Sequence, residues 1–202
     1  LIETDDVMEA VDRVTNGLRH PLFDKDDETV HRLTRHELGH AIVASVLYKS
    51  TGLIEAVERV SIIPRGRDPT QTSYNRKRDE DYMFPTRARL LERVQVLMAG
   101  RAAEEVVFDV VSSGAQNDLE RVTNMAYGMV TSFGFSEAVG PLSFSSQEEG
   151  NTLYKPYSER TARLIDDQAS AIVEKSYARS LGLLRAHKTQ LHALAEALLA
   201  KE

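Results

Sequence analysis

Apolar residues recur at three- and four-residue steps over most of the chain and read as a strand in one place only. The first stretch, 4–18, predicts a short helix. Val7, Ala10, Val11 and Val14 make its stripe, Asp5 or Asp6 its cap, and Gly17 its stop. Residues 19–28 are polar, include Pro21, and read as a linker. From 29 to about 49 the helical pattern returns through Val30, Leu33, Leu38, Ala41, Ile42, Ser45 and Val46. Residues 57–64 are rich in β-branched side chains and predict a strand. The polar, charged stretch 66–81 predicts a mobile loop. Pro85 and Thr86 then open one long helix to about Phe108, with Leu90, Leu91, Val94, Leu97, Met98, Ala102 and Val106 as its apolar set. Ser112, Ser113 and Gly114 read as a turn, 118–133 as a helix and 134–150 as irregular. Residues 158–201 read as two helices broken near Gly182. The fold class is therefore mainly α, with a small β element.

Composition narrows the chemistry. The 202 residues suit one domain, or a domain plus a piece of a neighbour. No cysteine is present, so disulfides, thiolate metal sites and a cysteine nucleophile are excluded. Any metal must be held by His, Asp or Glu. The formal charge of -6 disfavours a broad nucleic-acid surface. The one tight basic run, Arg76, Lys77 and Arg78, is followed at once by Asp79, Glu80 and Asp81, and reads as a solvated loop tip. No apolar run is long enough to span a bilayer, and no signal peptide is visible. The chain opens on Leu1 without an initiator Met, which predicts a piece of a longer parent.

The sharpest local signal is His36-Glu37-Leu38-Gly39-His40. Residues four apart on a helix share one face, so two imidazoles can grip one ion from the same side. Neutral imidazole suits zinc, and a catalytic zinc takes three protein ligands plus a water. Glu37, beside the first histidine, can stand near that water without binding the metal and serve as general base. Gly39 costs about 1 kcal/mol relative to Ala inside a helix, which a close approach of backbone or substrate would rationalise. A third histidine in the metzincin arrangement would require glycine at position 43 and histidine at position 46; the chain has Val43 and Val46. His20, His31, His187 and His192 have no convincing setting. The third ligand is therefore expected to be a carboxylate, with Glu55, Glu58, Glu104, Glu105 and Asp118 as candidates. Spacing does not choose among them, and Asp118 has a competing role as a helix-start residue.

At these residues the chain resembles the FtsH-type AAA+ zinc proteases. His36 to His40 is similar to their HExGH. Residues 6–17 resemble the segment joining their ATPase to their protease, and 60–65 their substrate-flanking strand. Residues 99–105 resemble their GGRAAEE helix, 113–119 their SGAxNDL segment, 133–136 and 140–142 their WGMS and GPL, and 157–166 their YSExTAxxID. The motifs follow the family's order over nearly the whole chain. The resemblance implies Asp118 as third zinc ligand beside His36 and His40, with Glu37 as the base. It implies residues 1–24 as the end of the AAA+ module or linker and 25–202 as a helical zinc peptidase domain, with its small β element beside the HExxH helix. Val60, Ser61, Ile62 and Ile63 would align an extended substrate next to the metal. The parent would be a membrane-anchored ring, a hexamer in this family, that threads unfolded polypeptides and cuts them into short peptides.

No GxxxxGK[ST] loop occurs in the chain, so ATP and Mg²⁺ would belong to the missing ATPase module. Residues 155–158 and 113–119 look more like mitochondrial inner-membrane members, with a bacterial plasma membrane or chloroplast thylakoid as alternatives. The family's Gly-aromatic-Thr-Gln stretch is replaced by 68–75, Ala99 stands for a glycine and Phe133 for a tryptophan. A catalytically silent assembly or chaperone subunit and a metal-binding regulatory domain are the competing readings. The intact His36, Glu37, His40 and Asp118 argue against the first, and Glu37 against the second, because metal storage needs no base.

Overall fold

A computed structural model describes residues 4–15, 17–18, 27–63, 71–75, 84–144 and 156–201. Its helices are α1 (Thr4–Thr15), α2 (Asp27–Thr51), α3 (Arg87–Leu97), α4 (Ala99–Phe108), α5 (Gln116–Thr131), α6 (Glu159–Ala186) and α7 (Lys188–Lys201), with a 3-10 turn at Ser113–Ala115. The strands β1 (Ala56–Ser61) and β2 (Gln71–Asn75) pair antiparallel, Val60 opposite Thr72 and Val57 opposite Tyr74, with an irregularity between Val57 and Arg59. The mainly α class with a small β element is what the pattern predicts.

Helix α2 is the centre of the molecule. From Thr34 to Ala44 it is buried without a break. A helix buried on every side is covered on every side: α2 packs against α4, α7 and β1, and less extensively against α3, α6 and β2. Leu38, Ile42 and Val43 meet Ala99, Ala102 and Ala103 of α4 and Leu184, Leu191 and Ala195 of α6 and α7 in one core. The α2–α4 contact depends on small residues. A Cβ built on Gly39 would lie 2.5 Å from the Ala99 carbonyl oxygen and 2.7 Å from the Ala103 Cβ. The close approach expected at Gly39 is thus an approach of α4. Gly39→Ala should therefore destabilise the domain by about 1–3 kcal/mol through overpacking, although alanine is the better helix former. The midpoint of a urea unfolding curve checks this, and an unchanged or higher midpoint would contradict it.

The structure corrects several sequence expectations. Residues 71–75, expected to be mobile loop, form β2; their polar sequence becomes a strand by pairing with β1. The strand expected over 57–64 ends at Ser61, with Ile62 and Ile63 beyond it and Pro64 outside the described residues. The single helix expected from Pro85 to Phe108 is interrupted at Met98. Thr86 caps α3 by accepting from the Arg89 N–H at 3.3 Å, and the Met98 N–H still reaches the Val94 carbonyl, so α4 continues closely from α3. The terminal break falls at His187, not Gly182. His187 ends α6 by donating its N–H to Leu183 and Leu184 carbonyls, whereas an isolated glycine lowers helix stability without stopping the helix. Val7, Val11 and Val14 of α1 are exposed. The linker residues 19–26, the loop residues 66–70, His20 and the charged run 76–81 lie outside the described residues.

Candidate metal centre

The buried stretch of α2 carries His36 and His40 on one face, and each ring is held from behind. His36 Nδ1 lies 2.9 Å from Glu104 Oε1, and His40 Nδ1 lies 2.8 Å from the Val96 carbonyl oxygen. A carbonyl can only accept, so His40 carries a proton on Nδ1. When neutral, it presents its Nε2 lone pair forward. Glu104, a fully buried carboxylate, does the same for His36. Both Nε2 atoms face Asp118 Oδ2, at 3.2 Å from His36 and 3.1 Å from His40.

Asp118 reaches the helix from far along the chain, and the same glutamate helps to place it. Glu104 Oε2 accepts from the Ser112 N–H at 2.8 Å. Ser112 Oγ accepts from the Gly114 N–H at 3.1 Å and caps the 3-10 turn. The turn delivers Asp118 into the first turn of α5, where the helix dipole favours a carboxylate. The helix-start role and the role beside the histidines therefore coincide. Arg32 stands 3.5 Å from Glu104 Oε2 and stacks over Phe108 at 4.7 Å.

The other candidate carboxylates are placed elsewhere. Glu55 pairs with Arg89 at 2.8 Å and Arg93 at 3.0 Å. Glu58 is exposed on β1. Glu105 accepts from the Tyr177 hydroxyl and pairs with Arg185. Glu104 lies behind His36, not in front of it. Among the described residues, only Asp118 joins His36 and His40 in a group whose ligand atoms all lie within 4.8 Å of one another. His31 instead contacts Arg35, and His187 accepts its place at the end of α6.

Charge explains what such a pocket attracts. Burial opposes a charged His36. Its hydrogen bonds to Asp118 and Glu104 and the charges of Glu37 and Asp118 outweigh burial and lift it to about 9. Burial likewise opposes the ionised Asp118, but hydrogen bonds and charges from His36 and His40 hold it well below the usual carboxylate range. Glu104 is lowered too, as its bonds to His36 and Ser112 overcome its burial. Two neutral imidazoles would aim lone pairs at a carboxylate oxygen that also only accepts. The arrangement calls for positive charge at the common point, from a proton or a cation. Zinc ligands bound at about 2.0–2.1 Å in a tetrahedron sit about 3.3 Å apart, close to the Nε2–Oδ2 separations here. The donor set therefore fits Zn²⁺.

Glu37 stands on the same helix, buried, with Oε2 accepting from the Thr72 hydroxyl at 2.7 Å. Thr72 and Tyr74, two apart on β2, line the cleft of about 720 Å³ that holds His36, Glu37, His40 and Asp118. Burial, with the charges of Glu37 and Asp118 beside it, pushes the Tyr74 phenol above its ordinary range. Val60, Ser61, Ile62 and Ile63, the expected substrate strand, do not line this cleft. Val60 pairs with Thr72 and Ser61 with Gln71, and the Ser61 and Ile62 side chains are buried. Sequence reasoning missed β2 and Thr72. The available signals were Thr72 and Tyr74, two strand-favouring residues two apart in an otherwise polar run.

Two histidines four apart on a helix with a glutamate beside the first define the HExxH class of metallopeptidases, and in this chain a distant aspartate joins them. The chain belongs to peptidase family M41, whose family model matches residues 25–202. It is 40% identical over 206 residues to the ATP-dependent zinc metalloprotease FtsH of Rhodothermus marinus, covering 100% of this chain and 28% of that protein. To the mitochondrial ATP-dependent zinc metalloprotease FTSH 3 of Oryza sativa subsp. japonica it is 38% identical, over 96% of this chain and 23% of the relative. To the mitochondrial inner membrane m-AAA protease component AFG3L2 of Mus musculus it is 37% identical, over 96% and 23% respectively. The chain thus spans roughly a quarter of the length of these relatives. No helix among the described residues is long and apolar enough to cross a membrane.

Proposed function

We propose that this chain is the peptide-bond-hydrolysing domain of an ATP-driven, membrane-anchored zinc protease. The observation that carries this reading is the convergence of His36 Nε2 and His40 Nε2 on Asp118 Oδ2, with Glu37 beside them in one cleft. His36, His40 and Asp118 would hold the zinc. Bound there, zinc lowers the pKa of water to roughly 7 and polarises the scissile carbonyl. Glu37 takes the proton of the attacking water and passes it to the leaving amine. Glu104 and the Val96 carbonyl hold each imidazole in the tautomer that keeps Nε2 free.

Residues 1–24 are assigned to the end of the ATPase module or its linker, and 25–202 to the peptidase. Val60, Ser61, Ile62 and Ile63 do not line the cleft themselves; they are proposed to align the substrate beside it through main-chain groups, which suits unfolded polypeptides of varied sequence. ATP hydrolysis, ring assembly as a hexamer and membrane anchoring are assigned to the rest of the parent. For the compartment, residues 155–158 and 113–119 support the mitochondrial inner membrane. The similar identity of a bacterial relative supports a bacterial plasma membrane, and fractionation of the parent separates the two.

The direct test is metal content. Wild type is expected to hold one zinc per chain by mass spectrometry, and His40→Ala to lose it on dialysis, because only two ligands remain. Unchanged stoichiometry in His40→Ala would remove His40 from the ligand set. A catalytically silent subunit would hold zinc yet fail to degrade casein with ATP in the assembled parent.

A further inference from the structure

We propose that Thr72 is a positioning residue for Glu37, fixing from β2 the orientation in which the base meets its water. This rests on the reading of Glu37 as the base. The Thr72 hydroxyl donates to Glu37 Oε2 at 2.7 Å, a length typical of a charge-assisted O–H···O bond. Helix α2 fixes the Cα of Glu37, but a glutamate has three side-chain torsions, and the helix alone does not choose among them. The hydroxyl anchors one carboxylate oxygen to the sheet. Glu37 itself lines the cleft that His36, His40 and Asp118 share, so the orientation fixed from β2 is set within that cleft. Capturing one oxygen also hinders Glu37 from turning in as a further metal ligand, which would remove it as a base.

The anchor comes from an element that the HExxH helix does not contain. Thr72 pairs with Val60 of β1, and Tyr74, on the same face, packs with the core around α2. The sheet therefore sets the position of the hydroxyl independently of Glu37. The competing explanation is that Thr72 is there for strand packing and its hydroxyl simply takes the nearest acceptor.

Three variants of the full-length parent separate these. Thr72→Val keeps the β-branched shape and removes the hydroxyl. Thr72→Ser keeps the hydroxyl and removes the methyl, and Thr72→Ala removes both. With an unstructured fluorogenic peptide, Val and Ala variants are expected to lose about 10-fold in kcat. KM and zinc content should be unchanged, and Ser should stay within about twofold of wild type. If the valine variant does not fold, the serine–alanine pair still differs by the hydroxyl. Equal kcat for Ser and Ala, or a valine variant as active as wild type, would overturn the proposal. Glu37→Gln in the same assay separates the two levels. If it is inactive while Thr72→Val is normal, only the role of Thr72 fails. If it is fully active, the reading of Glu37 fails, and this proposal with it.

Discussion

Glu37→Gln is expected to retain one zinc per chain and to lose casein degradation by about 10²–10⁴-fold, the range general acid–base catalysis contributes. The substitution is nearly isosteric. The glutamine amide oxygen can still accept from Thr72, and the buried packing of α2 is kept. Only the ability to take up a proton is removed. His36, His40 and Asp118 are untouched, and their distances to one another do not depend on Glu37. Metal content should therefore be unchanged while turnover collapses. The measurement pairs zinc mass spectrometry with ATP-driven casein degradation by the assembled parent. Full degrading activity with Gln at this position would refute the assignment of the base. Loss of both zinc and activity would instead place Glu37 among the residues that hold the metal.

The two histidines were legible because helical geometry turns a spacing of four into a shared face. Asp118 was not legible in that way. Between it and His36 lie β1, β2, α3, α4 and a turn, and no periodicity reports how such elements return to one another. Its position depends on Glu104, which bonds His36 with one oxygen and the Ser112 N–H with the other. Glu104 was a candidate ligand because carboxylate chemistry alone does not distinguish the front of an imidazole from its back. The motif resemblance supplied Asp118; the structure supplies the reason that Glu104 sits behind.

The missed elements share one physical cause, which is that they are set by partners distant in sequence. Residues 71–75 carry little β-branched or alternating apolar signal and become a strand through the register with β1. The break at Met98 has no proline or glycine at the break itself. It coincides with the place where α4 must press its backbone against α2 through Ala99 and Gly100. The apolar positions of α2 read as a stripe, because sequence does not reveal that β1 and α7 cover what would otherwise be its solvent side. Gly182 looked like a break for the opposite reason. A local cost was visible, and the long-range packing of α6 that overrides it was not. Here Ser180, two residues away, donates its hydroxyl to the Gln95 carbonyl at 2.7 Å.

Gly100→Ala is expected to abolish zinc binding although residue 100 is no ligand. A Cβ at this position would lie 2.3 Å from His36 Nε2 and 2.5 Å from both His36 Cε1 and His40 Nε2. Two of these three atoms are the proposed donors themselves. At such separations something must move, and each escape damages the site. The rings cannot swing aside without breaking the Nδ1 bonds to Glu104 and the Val96 carbonyl. Helix α4 cannot retreat without unpacking Ala99 and Ala103 from Gly39. The variant should lack zinc by mass spectrometry after gel filtration, lose casein cleavage, and be less stable by about 1–3 kcal/mol. Gly182→Ala is the control. A Cβ there meets nothing within 4 Å, so it should keep its zinc and gain up to about 1 kcal/mol from helix propensity. If Gly100→Ala bound zinc like wild type, the imidazoles would have room that the packing of α4 denies them. Helix α4 would then not fix the two Nε2 atoms at the metal site through Gly100.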